Sequence, residues 1–107
     1  MVKKTINKNI INTVKKFRTA IETIGIPVEK MILFGSYAKG NARANSDIDI
    51  AVVSKKFGYD DVDEMQLLFK ETWDVDSRIE PYPLSPRDLQ EGFSPIVYEI
   101  KKYGILV

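Results

Sequence analysis

Two carboxylates, Asp47 and Asp49, stand two positions apart at the start of an apolar segment that reads as a β-strand, Ile48–Ser54. Side chains two positions apart in a strand project from the same face, so both carboxylates point the same way. Two like charges at that separation repel each other unless a cation lies between them. Oxygen ligands of this kind suit Mg²⁺, or Mn²⁺ in its place. The pair therefore predicts a divalent-cation site, with a strand end in solvent as the alternative.

A Gly-Ser turn precedes this pair of aspartates. Gly35-Ser36 follows a short predicted strand, Lys30–Phe34, and leads into a polar segment, Tyr37–Ser46, that we predict to be one helical turn and a loop. Backbone N–H groups and a hydroxyl at such a turn suit a phosphate group. The next glycine has the spacing of a P-loop, but Asn41-Ala42 follows where that motif requires Lys-Ser or Lys-Thr. The P-loop is therefore excluded, and a simple tight turn is the alternative to a phosphate site.

A third acidic side chain should complete such a site. The segment Asp76–Leu84 reads as a third strand and places Asp76, Arg78 and Glu80 on one face. Glu80 lies in the middle of that strand, where an acidic side chain has no evident structural purpose. Asp76 lies near the start of the strand, where acidic residues commonly cap the chain or face water. We therefore expect Glu80 to be the third carboxylate and keep Asp76 as the alternative.

The composition excludes several catalytic classes. The 107 residues contain no Cys and no His, which rules out disulfides, zinc sites built on those ligands, thiol catalysis and the Ser-His-Asp triad. With 16 basic and 15 acidic residues the net charge is +1, which disfavours direct nucleic-acid binding. Apolar runs such as Met31–Phe34 are only four residues long, so no membrane span is expected. We expect a cytoplasmic protein.

A long first helix is predicted over Thr5–Ile24. Its apolar residues recur at steps of three and four and form one stripe, and Gly25 and Pro27 end it. In the strand that follows the Gly-Ser turn, the apolar side chains alternate with the two aspartates. The side chains of Ile48, Ile50 and Val52 should therefore point away from the aspartates, toward a layer of helices.

Three further helices complete a single α/β domain over residues 1–107. One is predicted over Asp60–Trp73, with these residues facing inward: Val62, Met65, Leu68 and Phe69. Ser85-Pro86 predicts a second helix start, because a capping residue is followed by proline and by an acidic residue three positions after the cap. Ser94-Pro95 repeats the signal for a last helix, Ile96–Tyr103.

The segment from Gly35 to Asp49 resembles the signature of the DNA polymerase β-type nucleotidyltransferase superfamily. It contains Gly-Ser, then a small residue, a basic residue and glycine, then Ser46-Asp47-Ile48-Asp49 at the matching spacing. The size of the chain resembles the minimal nucleotidyltransferases (MNT), the class paired with HEPN-domain proteins. The strand around Ile79-Glu80-Pro81 extends the similarity over most of the chain. In one departure, Lys39 stands where the family often has Arg, which weakens any bidentate phosphate contact there.

The resemblance implies a small mixed β-sheet with helices packed on one face and an open catalytic face. It implies Mg²⁺-dependent transfer of a nucleoside monophosphate, most simply AMP from ATP, to an acceptor hydroxyl with release of pyrophosphate. Two metal ions would assist the displacement. The implied catalytic and metal-holding residues are Asp47, Asp49 and Glu80. The implied nucleotide-binding residues are Gly35, Ser36, Lys39 and Ser46.

The implied partner is a HEPN-domain protein, with this chain as the antitoxin-like member of a toxin–antitoxin pair. The alternative is a binding module that neutralises a HEPN partner by complex formation, with little or no catalysis. The complete set of three acidic residues favours catalysis. A second copy of the chain is a further candidate partner, because exposed edges of a small sheet invite pairing.

Overall fold

The structure, a computed structural model, describes residues 6–107 and shows four strands and five helices among them. In chain order these are α1 (Lys8–Thr23), β1 (Lys30–Phe34), α2 (Ser36–Lys39), β2 (Ile48–Val53), α3 (Asp61–Thr72), β3 (Ile79–Leu84), α4 (Pro86–Glu91), α5 (Pro95–Tyr103) and β4 (Ile105–Leu106). The strands form one sheet in the order β3-β2-β1-β4. β1 runs antiparallel to β2 and β4, whereas β2 and β3 run parallel. The expected α/β class and mixed sheet are confirmed.

Helix α1 carries the predicted apolar stripe but begins later than predicted. Thr5, the predicted start, lies outside the described residues, and the two residues after it are not helical. Asn7 caps the helix, because its side-chain oxygen accepts a hydrogen bond from the backbone N–H of Asn9 at 2.7 Å. The helix therefore starts at Lys8. The stripe is buried as expected: Ile10, Val14, Phe17 and Ile21. Among residues 6–107 no helix is long and apolar enough to cross a membrane.

Two apolar clusters lie on opposite faces of the sheet. The larger cluster packs α1 and α3 against one face of the sheet. It includes the side chains of β2 that were predicted to point inward: Ile48, Ile50 and Val52. On the other face, Ile100 of α5 joins a cluster with Phe34 of β1. The face expected to be open is therefore partly covered by α5. It stays accessible at the end where Asp49 and Glu80 lie half-buried.

The fourth strand, β4, was not predicted. Its two residues pair with the middle of β1, Ile105 opposite Leu33 and Leu106 opposite Ile32. A two-residue segment is too short to show the alternation by which strands are recognised in a sequence. The strand extends the sheet on the side away from β3.

Helix α3 buries different side chains from those predicted. Leu68 is fully buried and Met65 is half-buried, but Val62 is 65% exposed and Phe69 is 37% exposed. Glu64 is buried instead. The apolar periodicity misjudged the inward face because the carboxylate of Glu64 has backbone partners that the sequence pattern does not reveal.

The carboxylate of Glu64 holds the chain that leads into α3. Its Oε1 accepts a hydrogen bond from the N–H of Gly58 at 2.9 Å, and its Oε2 accepts from Tyr59 and Asp60, each at 3.1 Å. Burial disfavours the charged form, but the three hydrogen bonds together outweigh it, so the pKa of Glu64 is lowered. Ionised Glu64 therefore stabilises the fold above the pKa of an unfolded glutamate. That contribution is lost as the pH falls through the lower pKa of the folded state.

Glu64→Gln is expected to lower the free energy of unfolding by about 2 kcal/mol at pH 7, because an amide has one acceptor oxygen where the carboxylate uses two. The difference from wild type should shrink at acidic pH, as the wild-type carboxyl gains a proton in the folded state. Urea unfolding at neutral and acidic pH measures both effects. Glu71→Gln, on the same helix and half-exposed, is the control. An equal loss of stability at both pH values would contradict this role of the Glu64 charge.

Candidate active site

The parallel strands β2 and β3 bring acidic side chains together. Asp49 lies opposite Glu80 in the register of the two strands. Asp47 comes just before β2 and is exposed, whereas Asp49 and Glu80 are half-buried. All three residues therefore lie at the end of the sheet where β2 and β3 begin.

The pKa of Asp49 is raised by burial and by the negative charges around it. Burial is the largest cause that raises the pKa of Asp49 to about 6, followed by the charges of Asp47, Glu80 and then Glu99. The ammonium of Lys39 acts in the opposite direction. Asp49 therefore lies at the centre of a negatively charged cluster that a bound cation would stabilise.

Gly35 lies against the carboxylate of Asp49. Its backbone angles, φ +71° and ψ −150°, belong to a region used almost only by glycine. A Cβ at this position would overlap Oδ2 of Asp49. Glycine therefore lets β1 turn into α2 directly beside the carboxylate, and Ser36 follows as the first residue of α2. The predicted phosphate turn and the predicted metal ligand are therefore in direct contact.

The loop between α2 and β2 is closed by its own hydrogen bonds. Gly40, with φ +84°, ends α2, and the carbonyl of Ser36 accepts the N–H groups of Gly40 and Asn41 at 3.0 and 3.1 Å. The hydroxyl oxygen of Ser46 accepts the N–H of Arg43 at 2.7 Å. Ser46 therefore has a structural contact in the loop that leads into β2. That contact leaves its hydroxyl proton available for a ligand.

Asp76, Arg78 and Ala44 form what we call the Arg78 clasp, which ties this loop to β3. Arg78 donates from Nη2 and Nε to the carboxylate of Asp76 at 2.8 and 3.1 Å, and from Nη1 to the carbonyl of Ala44 at 2.9 Å. The hydrogen bonds from Arg78 lower the pKa of Asp76 in spite of burial. Because Asp76 and Arg78 lie in a turn held by these bonds, β3 begins only at Ile79, later than predicted. The carboxylate of Asp76 is engaged by Arg78, whereas Glu80 faces Asp49.

Lys39 contacts an acidic residue that the sequence did not single out. Its Nζ lies 2.8 Å from Oε1 of Glu99 on α5 and 5.1 Å from the ring centroid of Tyr103. The hydrogen bond to Glu99 is the main cause that raises the pKa of Lys39. Glu99 reaches the site only because α5 packs on the sheet, so no local sequence pattern could have indicated it.

The available ligands fit a magnesium ion that shares its shell with phosphate oxygens. Within residues 6–107, no group of three or more acidic, His or Cys side chains is arranged to hold a metal ion by itself. Mg²⁺ usually takes one or two carboxylates and completes its shell with water and substrate phosphates. The donors here are all oxygen, and the repulsion around Asp49 favours a cation. This chemistry fits Asp47 and Asp49 as ligands, with Glu80 beside them.

Comparison with known families agrees with this geometry. The family model for the nucleotidyltransferase domain matches residues 14–107, from the middle of α1 to the last residue. The chain belongs to the nucleotidyltransferase domain family. The resemblance noted from residues 35–49 is confirmed, and the match extends far beyond that segment.

A curated relative of this chain, from Methanocaldococcus jannaschii, is named "Putative protein adenylyltransferase". The two sequences are 40% identical over 48 residues. That segment is 44% of this chain and 48% of the relative, so the match spans about half the length of that protein.

Solved structures share the nucleotidyltransferase fold. One is a toxin–antitoxin structure with AMP-PNP, 24% identical with a TM-score of 0.63, and the alignment covers 94% of this chain and 72% of that chain. Another is a tri-AMPylated HEPN toxin of Shewanella oneidensis in complex with an MNT antitoxin. It is 19% identical with a TM-score of 0.60, and the alignment covers 91% of this chain and 70% of that chain. At these identities the likeness establishes the fold.

Proposed function

We propose that this chain transfers a nucleoside monophosphate, most simply AMP from ATP, to a hydroxyl group of a partner protein. The supporting observation is the placement of Asp49 opposite Glu80 and against Gly35, which joins a negatively charged cluster to the Gly-Ser turn. Membership of the nucleotidyltransferase domain family supports the reaction class. We propose a HEPN-domain protein as the partner, because a structure of the same fold contains an AMPylated HEPN toxin.

The proposed roles follow from the positions of the side chains. Asp47 and Asp49 would hold Mg²⁺ at the end of β2, which offsets their mutual repulsion. The nucleotide phosphates would lie along the turn before α2 and the loop after it, at Gly35, Ser36, Lys39 and Ser46. When bound, Mg²⁺ withdraws charge from the phosphate oxygens and makes a bound hydroxyl more acidic.

The transfer forms one bond and breaks one. The acceptor oxygen bonds to the α-phosphorus, the bond from that phosphorus to the bridging oxygen breaks, and pyrophosphate leaves. Glu80, opposite Asp49, accepts the proton of the acceptor hydroxyl. No His is required, because carboxylates supply both the metal ligands and the proton acceptor.

Neutralisation of a HEPN partner by binding alone is the second candidate function, since the Shewanella neighbour is a complex of toxin with antitoxin. Incubation of the chain with Mg²⁺, ATP labelled at the α-phosphate and the product of the neighbouring gene separates the two. Label on the partner supports transfer. A partner that co-purifies without label supports the binding module, and failure of both label and complex contradicts both proposals.

Glu80→Gln is expected to reduce transfer activity, whereas Asp76→Asn is expected to reduce thermal stability. Glu80→Gln should reduce transfer by about 10²–10³-fold with little change in Tm, because it removes a proton acceptor from a half-buried position. Asp76→Asn should retain most of the transfer but lower the Tm, because it weakens the pairing with Arg78. Transfer assays and thermal melts of both variants measure this. The reverse pattern would identify Asp76 as the third carboxylate.

A further inference from the structure

A fourth carboxylate, that of Glu99, faces the candidate site from α5. Its Oε1 lies 2.8 Å from Nζ of Lys39, on the short helix that follows Gly35. An extra negative charge should oppose the binding of an anionic nucleotide. The transfer chemistry gives Glu99 no part, so its presence at this place needs a different explanation.

Glu99 and its neighbour Tyr103 hold the side chain of Lys39 at two points. The Lys39 Nζ is 2.8 Å from Glu99 Oε1 and 5.1 Å from the centroid of the Tyr103 ring, an arrangement that combines an ion pair with a cation–π contact. The side chains of Lys39 and Glu99 are 37% and 32% exposed, so water reaches the pair. A free lysine side chain samples many rotamers, and fixing it costs conformational entropy. Glu99 and Tyr103 therefore order the Lys39 side chain before a ligand binds.

The held ammonium still has capacity for a second anion. A lysine ammonium has three N–H donors, and the short contact with Glu99 accounts for one of them. Lys39 lies on α2, the short helix that begins directly after Gly35, and Gly35 lies against the Asp49 carboxylate, which places the positive charge at the edge of the acidic cluster. It is also the last residue of the short helix that begins at Ser36.

We propose that Glu99 is a positioning residue, which holds the Lys39 ammonium at the edge of the acidic cluster, where it meets the phosphates of the incoming nucleotide. This inference rests on the proposed nucleotidyl transfer. Glu99 acts on the nucleotide through Lys39 and does not contact it. The contact also links α5 to α2, although the two helices are far apart in the sequence.

Glu99→Gln tests the proposal directly. The variant should bind a fluorescent ATP analogue with Mg²⁺ roughly three- to fivefold more weakly than wild type. Its KM for ATP should rise by the same factor with kcat unchanged. Lys39→Met should weaken binding at least as much, and Lys39→Met/Glu99→Gln should bind no more weakly than Lys39→Met alone. Glu91→Gln is the matched control, because it removes an ion pair of the same 2.8 Å length, to Arg87, on α4.

The charge-exchanged variant Lys39→Glu/Glu99→Lys separates positioning from a purely structural ion pair. It should recover the Tm of wild type but not its affinity for the ATP analogue, since the ammonium then lies on α5. Recovery of both properties would overturn the proposal, as would a Glu99→Gln variant that binds as tightly as wild type or more tightly. If wild type itself binds no nucleotide, the proposed function fails together with this inference. If wild type binds and Glu99→Gln is unchanged, only the inference fails.

Discussion

Asp49→Asn is expected to abolish nucleotide transfer while making the ligand-free protein more stable. Transfer should fall by about 10³-fold, because the substitution keeps the shape of the side chain and removes a charge that we propose to hold Mg²⁺. Burial and the neighbouring carboxylates raise the pKa of Asp49 to about 6. Its ionised form therefore destabilises the fold near neutral pH, and a neutral amide removes that penalty. The Tm of the ligand-free variant should exceed that of wild type at pH 7.5.

Thermal melts with and without Mg²⁺ and ATP measure both effects. In wild type, Mg²⁺ or Mn²⁺ with ATP should raise the Tm, and both Asp47→Asn and Asp49→Asn should abolish that shift. The gain in Tm of ligand-free Asp49→Asn should disappear below about pH 4, where the wild-type carboxyl is protonated in the folded and unfolded states. Asp74→Asn, exposed in the turn after α3, is the control. An Asp49→Asn variant that still transfers nucleotide would contradict the assignment.

Gly35→Ala is expected to damage the site and the fold together. The new Cβ would overlap the Asp49 carboxylate, and φ +71° with ψ −150° is strained for any residue except glycine. We expect a loss of about 2–3 kcal/mol in the free energy of unfolding and a drop in transfer of at least about 100-fold. Urea unfolding and the labelled-ATP assay measure the two losses.

Gly25→Ala separates backbone strain from displacement of Asp49. Gly25 also has a positive φ, +93°, but a Cβ there has no neighbouring atom within 4 Å. It follows α1, away from the candidate site. Gly25→Ala should lower stability by about 1 kcal/mol and leave transfer unchanged. If both alanine variants lose transfer equally, loss of stability would explain the result and the special position of Gly35 would be disproved.

Features that depend on neighbouring residues in the chain were predictable from the sequence. The bounds of β1 agree with the structure, and α4 begins where Ser85-Pro86 predicted. Ser85 and Asp88 form the expected capping box, with the N–H of Asp88 donating to the Ser85 hydroxyl at 3.0 Å. The alternation in β2 also correctly predicted that Ile48, Ile50 and Val52 pack together against the helices.

Features that depend on contacts between distant residues were not predictable. Lys39 and Glu99 are sixty positions apart and meet only when α5 packs on the sheet. Arg78 reaches Ala44 for a similar reason, and this contact shortened the predicted third strand. On α3, hydrogen bonds from backbone amides made Glu64 a buried residue, although its type predicts exposure. Apolar periodicity contains no information about such polar partners.

The Arg78 clasp ties the loop before β2 to the start of β3. With Arg78 bonded to both Asp76 and Ala44, and the N–H of Arg43 bonded to the Ser46 hydroxyl, the loop is fixed as the protein folds. A ligand that arrives at Asp47 therefore meets a segment that is already shaped. The entropy cost of ordering this loop is therefore part of the free energy of folding and not of the free energy of ligand binding. The heat capacity change on nucleotide binding then reflects the surface that the nucleotide covers, without a contribution from coupled folding of the loop.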